Sequence, residues 1–466
     1  MAEQKELEQI NPRGVMSTCT LPELRSLATW LQTTDEHAEH HLALLARIEA
    51  VLEADAGSSA ERASLAQKAE RWRYQHLNEH AGTLTPEGEA LVDSLDRAAK
   101  SLAGRADLPP RRTRHAVRDP QRDTHGIRNA CTVLDPAYPL PRLIERAARL
   151  TQQHFPASVT DSPQVRRHRI LLYAPVYVSS DCVNYCTYCG FRYPLQIPRR
   201  HLTVEESLEQ ARILRQRGFR NILIVGGEFP SHTTPAYYRQ IIQAFADDGF
   251  EPGIEIAPQS TAAYAELVQA GACSLTLYQE TYDRTLYTKY HTRGPKASYD
   301  WRLESHDRAA EAGIGRLGLG ILLGLADPRE DFLALLRHAA YLSERFPDRQ
   351  LAFSLPRIHE APEGFEIPFA VSDQDLIRFY SALRIAFPHA ILVLSTREPP
   401  ELRNTLAKIC ITQMSAGSST APGGYGADEP AAGPGEQFPI SDHRSPAEVA
   451  AWLDQEGFEI AWAARG

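Results

Sequence analysis

From Ile170 onward the chain repeats one alternation eight times, a short apolar run followed by polar residues and then an amphipathic stretch. The runs are Ile170 to Val178, Asn221 to Val225, Gly253 to Ala257, Ser274 to Leu277, Leu317 to Leu323, Leu351 to Leu355, Ile391 to Leu394 and Ile411 to Met414. Helical stretches such as Val204 to Arg217, Tyr237 to Asp248 and Ala262 to Ala270 separate them. Short, continuously apolar runs suit strands buried on both faces, as in a parallel sheet covered by helices. Eight of them alternating with helices predict an α/β chain folded as a (β/α)8 barrel of the TIM type. In such barrels the chemistry sits at the carboxyl ends of the strands. The residues there are Cys182 with its neighbours, Gly226-Gly227-Glu228, Pro258-Gln259, Gln279 to Tyr282, Pro356-Arg357, Ser395 to Glu398 and Ser415 to Ser418, all expected at one mouth.

The first of these groups is the most specific. Cys182, Cys186 and Cys189 lie in SSDCVNYCTYCGF, directly after the first predicted strand. Three thiolates in CxxxCxxC spacing hold three corners of a cubane and leave the fourth iron open, whereas a structural zinc needs a fourth protein ligand. No fourth cysteine or histidine lies close by in sequence. Tyr188 supplies the aromatic of the CxxxCxΦC pattern, and the motif resembles that of the radical S-adenosylmethionine superfamily. A zinc knuckle and three unrelated structural cysteines are the bland readings.

Upstream of the barrel the chain changes character. Residues 1–106 read as a helical N-terminal extension, with helices at Leu21 to Leu31, His37 to Leu52, Ser59 to Leu77 and Pro86 to Leu102. His37, His40 and His41 share one helical face; a solvated face is the reading preferred over a metal site, since no carboxylates or cysteines accompany them. Trp72 and Tyr74 read as core. Residues 107–123, rich in proline and arginine, read as a solvated linker, and residues 124–466 as the barrel with a C-terminal closing segment. A helix from Leu140 to Phe155 precedes the first strand. Seven cysteines, three of them clustered, fit a reducing, cytoplasmic setting rather than a disulfide framework. The net charge of -9 disfavours a nucleic-acid partner, no run is long and apolar enough to span a membrane, and the polar N-terminus lacks a signal core.

A narrower resemblance rests on several stretches together. CVNYCTYCGF at 182–191, YQETYDRTLYTKYHTRGPKASYDWRL at 278–303, LSTRE at 394–398, SAGSSTAPGGYG at 415–426 and QFPISDHRSPAEVAAWL at 437–453 are similar to the aromatic amino acid lyases of that superfamily, in particular to the 2-iminoacetate synthases, the tyrosine lyases of thiamine biosynthesis. The resemblance covers residues from about 165 onward. It implies one 4Fe-4S cluster, S-adenosyl-L-methionine, and cleavage of the Cα–Cβ bond of L-tyrosine to dehydroglycine (2-iminoacetate) and p-cresol through a 5'-deoxyadenosyl radical. As partners it implies an electron donor such as flavodoxin or ferredoxin, and thiazole synthase. Tryptophan lyases and the maturase of iron-only hydrogenase are the alternatives within the enzymes. That maturase carries a second cluster on tail cysteines, and no cysteine follows Cys410 here. A protein whose cluster merely carries electrons or iron is the non-enzyme alternative.

The resemblance also implies roles. Cys182, Cys186 and Cys189 are the cluster ligands, and Tyr188 lies near the adenine. Gly226 and Gly227 admit close backbone approach, or form a mere turn, and Glu228 pairs with the amino group of the methionine moiety. Arg302 forks onto its carboxylate and Glu280 holds its amino or ribose groups, unless the two form a structural ion pair. Arg397, and secondarily Arg357, grip the substrate carboxylate. The tract 415–426 is the floor of the substrate pocket or a barrel-closing loop, and Tyr290 and His291 are lid residues or buried structural ones.

Overall fold

In the computed structural model, which describes residues 17–34, 39–158, 167–426 and 435–464, the first strand, β1 (Arg169–Ser179), already separates the inside of the barrel from its outside. Ile170, Leu172, Ala174, Val176 and Val178 are fully buried and join the main core under the helices. The alternate residue Tyr173 lines the lumen with Thr276 and Gln413. This is the period of two that a pleated strand imposes. The following strands are β2 (Asn221–Gly226), β3 (Glu251–Glu255), β4 (Ser274–Glu280), β5 (Arg316–Ile321), β6 (Gln350–Ser354), β7 (Ile391–Leu394) and β8 (Gln413–Ser415). Each pairs in parallel with the next, and β1 pairs with both β2, Ala174 opposite Ile222, and β8, Leu171 opposite Gln413, which closes the barrel.

The eight strands begin and end within three residues of the expected runs. A ninth, β9 (Glu459–Ala461), pairs with the start of β1 and was not expected. Three residues are too few to carry a period. The helices between strands start where the chain supplies side-chain caps. Thr203 with Glu206, Ser372 with Asp375 and Ser445 with Glu448 form reciprocal capping boxes, and Thr234-Pro235 and Asp327-Pro328 start two more helices. The helix expected at Leu140 to Phe155 spans Leu140–His154.

Two compact units divide the chain, residues 1–112 and 113–466. The first contains the helices Ser17–Thr34, Glu39–Glu53, Ser59–Glu79 and Pro86–Leu102 around Leu24, Ile48, Leu65, Trp72, Leu91 and Leu95. Ser58 and Thr85 cap the last two, accepting from the backbone N–H of Glu61 and Gly88. His37 lies outside the described residues; His41 stacks on Trp72, ring centroids 4.3 Å apart, and His40 is exposed. Arg111 is buried rather than solvated, with Nη2 3.0 Å from Glu70 and its backbone N–H donating to Asp96. Burial opposes charge on Asp96, but Arg111 and Lys100 hold its carboxyl far below the usual range.

The barrel unit takes up the chain at Thr113, inside the stretch expected as a linker. Thr113 donates from its hydroxyl to Asp307, Arg114 lies 3.7 Å from Glu304, and Ala116 and Val117 are buried in the barrel's own core. A chain beginning at Thr113 is therefore expected to fold, load iron and turn over within about threefold of the full chain, as a unit with its own core does. One beginning at His125 forfeits the burial of Ala116 and Val117, on the order of 2 to 4 kcal/mol, and should melt several degrees lower than the chain from Thr113. Thermal unfolding of the two truncated chains side by side checks this.

Candidate active site

The segment between β1 and the helix Val204–Gln216 has almost no regular structure of its own and is held in place by distant backbone. Val183 N–H donates to Glu228 O at 2.9 Å, Tyr185 N–H to Arg293 O at 3.1 Å, Thr187 N–H to Tyr290 O at 3.0 Å and Gly190 N–H to Gln437 O at 3.1 Å. Arg199 braces the loop from within, donating to the carbonyls of Phe191 and Arg192. Gly227 is needed for close approach, because a Cβ there would lie 2.3 Å from Asp181 O and 3.3 Å from the Cβ of Cys182. At Gly226 a Cβ would lie 2.4 Å from the Tyr238 hydroxyl. Gly227 is thus a packing requirement of the loop's seat, and Gly226 one of the helix Pro235–Asp247 against β2.

Cys182, Cys186 and Cys189 line one cavity at the carboxyl ends of the strands. Among the described residues no three His, Cys, Asp or Glu side chains converge as ligands of a single ion. Three thiolates of a cubane each bind a different iron, so a shared cavity rather than a shared point is what that group requires, whereas zinc would need four converging ligands. Burial pushes the Cys186 and Cys189 thiols up, and a cation placed in the cavity would favour their thiolate forms. His291 is not a spare ligand. Its Nδ1 is 2.8 Å from Tyr287 O and its Nε2 2.7 Å from the Tyr188 hydroxyl, and burial pushes the ring down to about 3, so Nδ1–H donates and Nε2 accepts from Tyr188. His291 thus fixes the aromatic of the cysteine motif; it is buried, as is Tyr290 beside Leu325.

The same cavity receives Glu228, Glu280, Lys296 and Arg302. Glu228 accepts from Asn184 Nδ2 at 2.6 Å; burial lifts its carboxyl, and this hydrogen bond tempers the effect. Glu280 stands where β4 loses register against β5, with φ at 71°, a left-handed conformation that a non-glycine residue adopts at a cost. The irregularity turns its carboxylate toward Lys296 Nζ at 2.7 Å and Arg302 Nη2 at 3.0 Å, while Arg302 Nε donates to Tyr278 O at 2.6 Å. Burial opposes charge on Glu280, yet Lys296 and Arg302 hold it below the ordinary carboxylate range. Two cations on one carboxylate leave positive charge in hand, which fits an incoming anionic group, and Glu228 with Asn184 fits a cationic one. Lys296 and Asn184 escaped the sequence reading, although both lie inside the quoted motifs.

The two arginines expected to grip a substrate differ. Arg357 is committed: Nε lies 3.1 Å from Glu398, Nη2 bonds the other oxygen of the same carboxylate, Nη1 donates to Val371 O at 2.9 Å, and Asp373 is 2.9 Å away. It does not line the cavity of the cysteines. Arg397 follows β7 and lies over the Phe438 ring, 3.3 Å from its centroid, next to the cavity residue Gln437. Among the described residues no carboxylate is within ion-pair distance of it, and Glu398 faces Arg357 instead. Residues 417–419 and 424–426 of the glycine-rich tract line a separate opening of about 640 Å³ with Asp442 and Pro446; Tyr425 ties the tract to β1 by donating to Pro175 O at 2.6 Å.

A parallel barrel whose first strand runs into three cysteines in CxxxCxxC spacing, with a charged cavity above them, defines a radical SAM enzyme. Residues 176–339 match the radical SAM superfamily and residues 354–459 the Biotin and Thiamin Synthesis associated domain. The chain is 34% identical to 2-iminoacetate synthase of Escherichia coli (strain K12) over 69% of its length and 82% of that protein's. It belongs to the radical SAM family that includes the 2-iminoacetate synthases, enzymes of the lyase type that use a 4Fe-4S cluster and S-adenosylmethionine. Two crystal structures of HydG, a maturase of the FeFe-hydrogenase, are also similar. One superposes with a TM-score of 0.64 at 30% identity over 76% of this chain and 80% of that one. The other, from Carboxydothermus hydrogenoformans, gives 0.66 at 28% identity over 88% and 86%. Among the described residues no helix is long and apolar enough to cross a membrane.

Proposed function

We propose that this enzyme cleaves the Cα–Cβ bond of L-tyrosine, giving 2-iminoacetate and p-cresol, for assembly of the thiamine thiazole. The observation that carries the reading is Arg397, a guanidinium beside the cysteine cavity with no protein carboxylate at ion-pair distance among the described residues. An amino acid enters as a zwitterion, and once water is excluded its carboxylate needs a forked cation. Cys182, Cys186 and Cys189 would hold the cluster; Lys296, Arg302, Glu280, Glu228 and Tyr188 would surround S-adenosylmethionine. When bound, these groups supply a one-electron cleavage that makes the cofactor a hydrogen-atom acceptor. The chain's own task is to hold the substrate's amino group toward that acceptor and keep water out. The reading calls for an electron donor such as flavodoxin or ferredoxin, with thiazole synthase as the consumer of the product.

Incubating anaerobic, reconstituted protein with S-adenosylmethionine, a reductant and each aromatic amino acid tests this. p-Cresol from tyrosine supports it, and an indole fragment from tryptophan would transfer the reading to a tryptophan lyase. The structural likeness to HydG favours a second reading, a maturase-like tyrosine lyase. Against it, only three cysteines cluster; of the others whose side chains are described, Cys131, Cys273 and Cys410, none lines the cavity. The expected iron content is about four per chain, the content of one cubane, with no cyanide or carbon monoxide released. About eight irons, or cyanide in step with p-cresol, would favour the maturase.

A further inference from the structure

The cavity contains one acid with no evident duty. Glu255 is the last residue of β3 and lines the cavity together with the three cysteines. Among the described residues its carboxylate accepts no hydrogen bond and forms no ion pair, whereas Glu228 is tied to Asn184, Glu280 to Lys296 and Arg302, and Glu398 to Arg357. The charged groups that act on it electrostatically are Arg397, which follows β7, and Glu280, Lys296 and Arg302, which line the same cavity. The hydroxyls of Tyr173 and Tyr177 on β1 and Tyr278 on β4 complete its surroundings. Tyr177 donates to Gln437 rather than to Glu255. A half-buried carboxylate without a partner is costly, and one within electrostatic reach of a guanidinium that has no acid at ion-pair distance among the described residues is complementary to a zwitterion.

We propose that Glu255 receives the α-ammonium group of the amino acid whose carboxylate Arg397 grips, and takes one proton from it. The proposal rests on the reading of the substrate as an amino acid. The step balances without any further reagent: one N–H bond breaks, its electron pair stays on nitrogen, and the proton passes to a carboxylate oxygen of Glu255. It leaves the neutral amine, the form whose nitrogen can give up a hydrogen atom. Burial pushes the Glu255 carboxyl up to about 7, with Arg397 pulling the other way, which makes it a stronger base than an ordinary carboxylate. The sign follows. A raised value means Glu255 is neutral below about pH 7 and charged above, so the pull on an ammonium group fades as pH falls through 7 rather than near 4.

The test uses reconstituted protein with S-adenosylmethionine and no reductant, so that binding is read without turnover. Calorimetry compares L-tyrosine with 3-(4-hydroxyphenyl)propionate, which lacks the amino group. The wild type should prefer tyrosine at pH 8 by about tenfold or more, the strength of a charge-assisted hydrogen bond. Glu255→Gln should bind the two within about twofold of each other while keeping its affinity for the deaminated acid and its cluster absorption. With reductant added, its p-cresol formation should fall about 100-fold or more, less so as pH rises and free amine becomes available. If Glu255→Gln does not load iron, the wild type alone decides, since its preference for the amino form should be lost with a midpoint near pH 7. A preference kept in Glu255→Gln, or flat in the wild type from pH 5.5 to 8.5, would overturn the proposal. Should the wild type bind tryptophan and not tyrosine, the same comparison with indole-3-propionate tests Glu255, so the substrate reading and this one fail separately.

Discussion

Replacing Cys182, Cys186 or Cys189 by alanine should abolish the iron-sulfur absorption and 5'-deoxyadenosine formation together. Each thiolate has its own iron to hold, and two protein ligands do not retain a cubane whose fourth iron is already without one. The histidine and the amide that pack against the motif are already engaged. Both ring nitrogens of His291 are engaged by Tyr188 and the Tyr287 carbonyl, and Asn184 is spent on Glu228 and the Lys296 N–H. Alanine at Cys131, Cys273 or Cys410 should leave iron content and turnover unchanged. Cys410 is fully buried, so its loss costs stability, about 1 to 2 kcal/mol, without touching the cavity. Cys19, whose side chain lies outside the described residues, is expected to be dispensable as well. A Cys186→Ala protein with a full complement of iron would remove the basis of the site.

Arg397→Lys should weaken tyrosine binding and uncouple the reaction, with 5'-deoxyadenosine formed in excess over p-cresol. Lysine keeps the charge but loses the two parallel donors that orient a carboxylate, and orientation decides where the amino nitrogen sits. Arg397→Ala should cost more, on the order of 2 kcal/mol or above in substrate binding, because it leaves the carboxylate without its partner. A structural role would show differently. If Arg397 merely held its loop on Phe438, alanine would lower the melting temperature while the ratio of p-cresol to 5'-deoxyadenosine stayed at the wild-type value. Arg357→Ala is the counterpart, since it breaks the bidentate pair with Glu398 and leaves that buried carboxylate unpaired. Its effect should fall on stability, with the product ratio kept.

Much of this barrel is written in short-range pattern. Apolar runs bounded by turns report a strand buried on both faces without knowledge of its partners, so all eight strands and their order around the barrel were determined by the sequence alone. The cysteine spacing is local in the same sense, because one loop carries all three thiols. The end of β3 shows the limit of that reading. Ile256 and Ala257 extend the apolar run past Glu255, so the pattern ends the strand two residues late and places the acid in its interior.

What only the tertiary structure decided is the pairing of charges. Arg357 and Arg397 look alike in sequence, each following a strand, yet Glu398 lies against Arg357 from 41 residues away and leaves its own neighbour Arg397 without an acid at ion-pair distance among the described residues. Tyr188 and His291 meet across 103 residues, and the register shift that turns Glu280 onto Lys296 and Arg302 appears only once β4 lies beside β5. Periodicity records which face of an element is buried, a property of consecutive residues. The partner of a buried charge depends on distances between segments far apart in the chain, and these exist only after the barrel has closed.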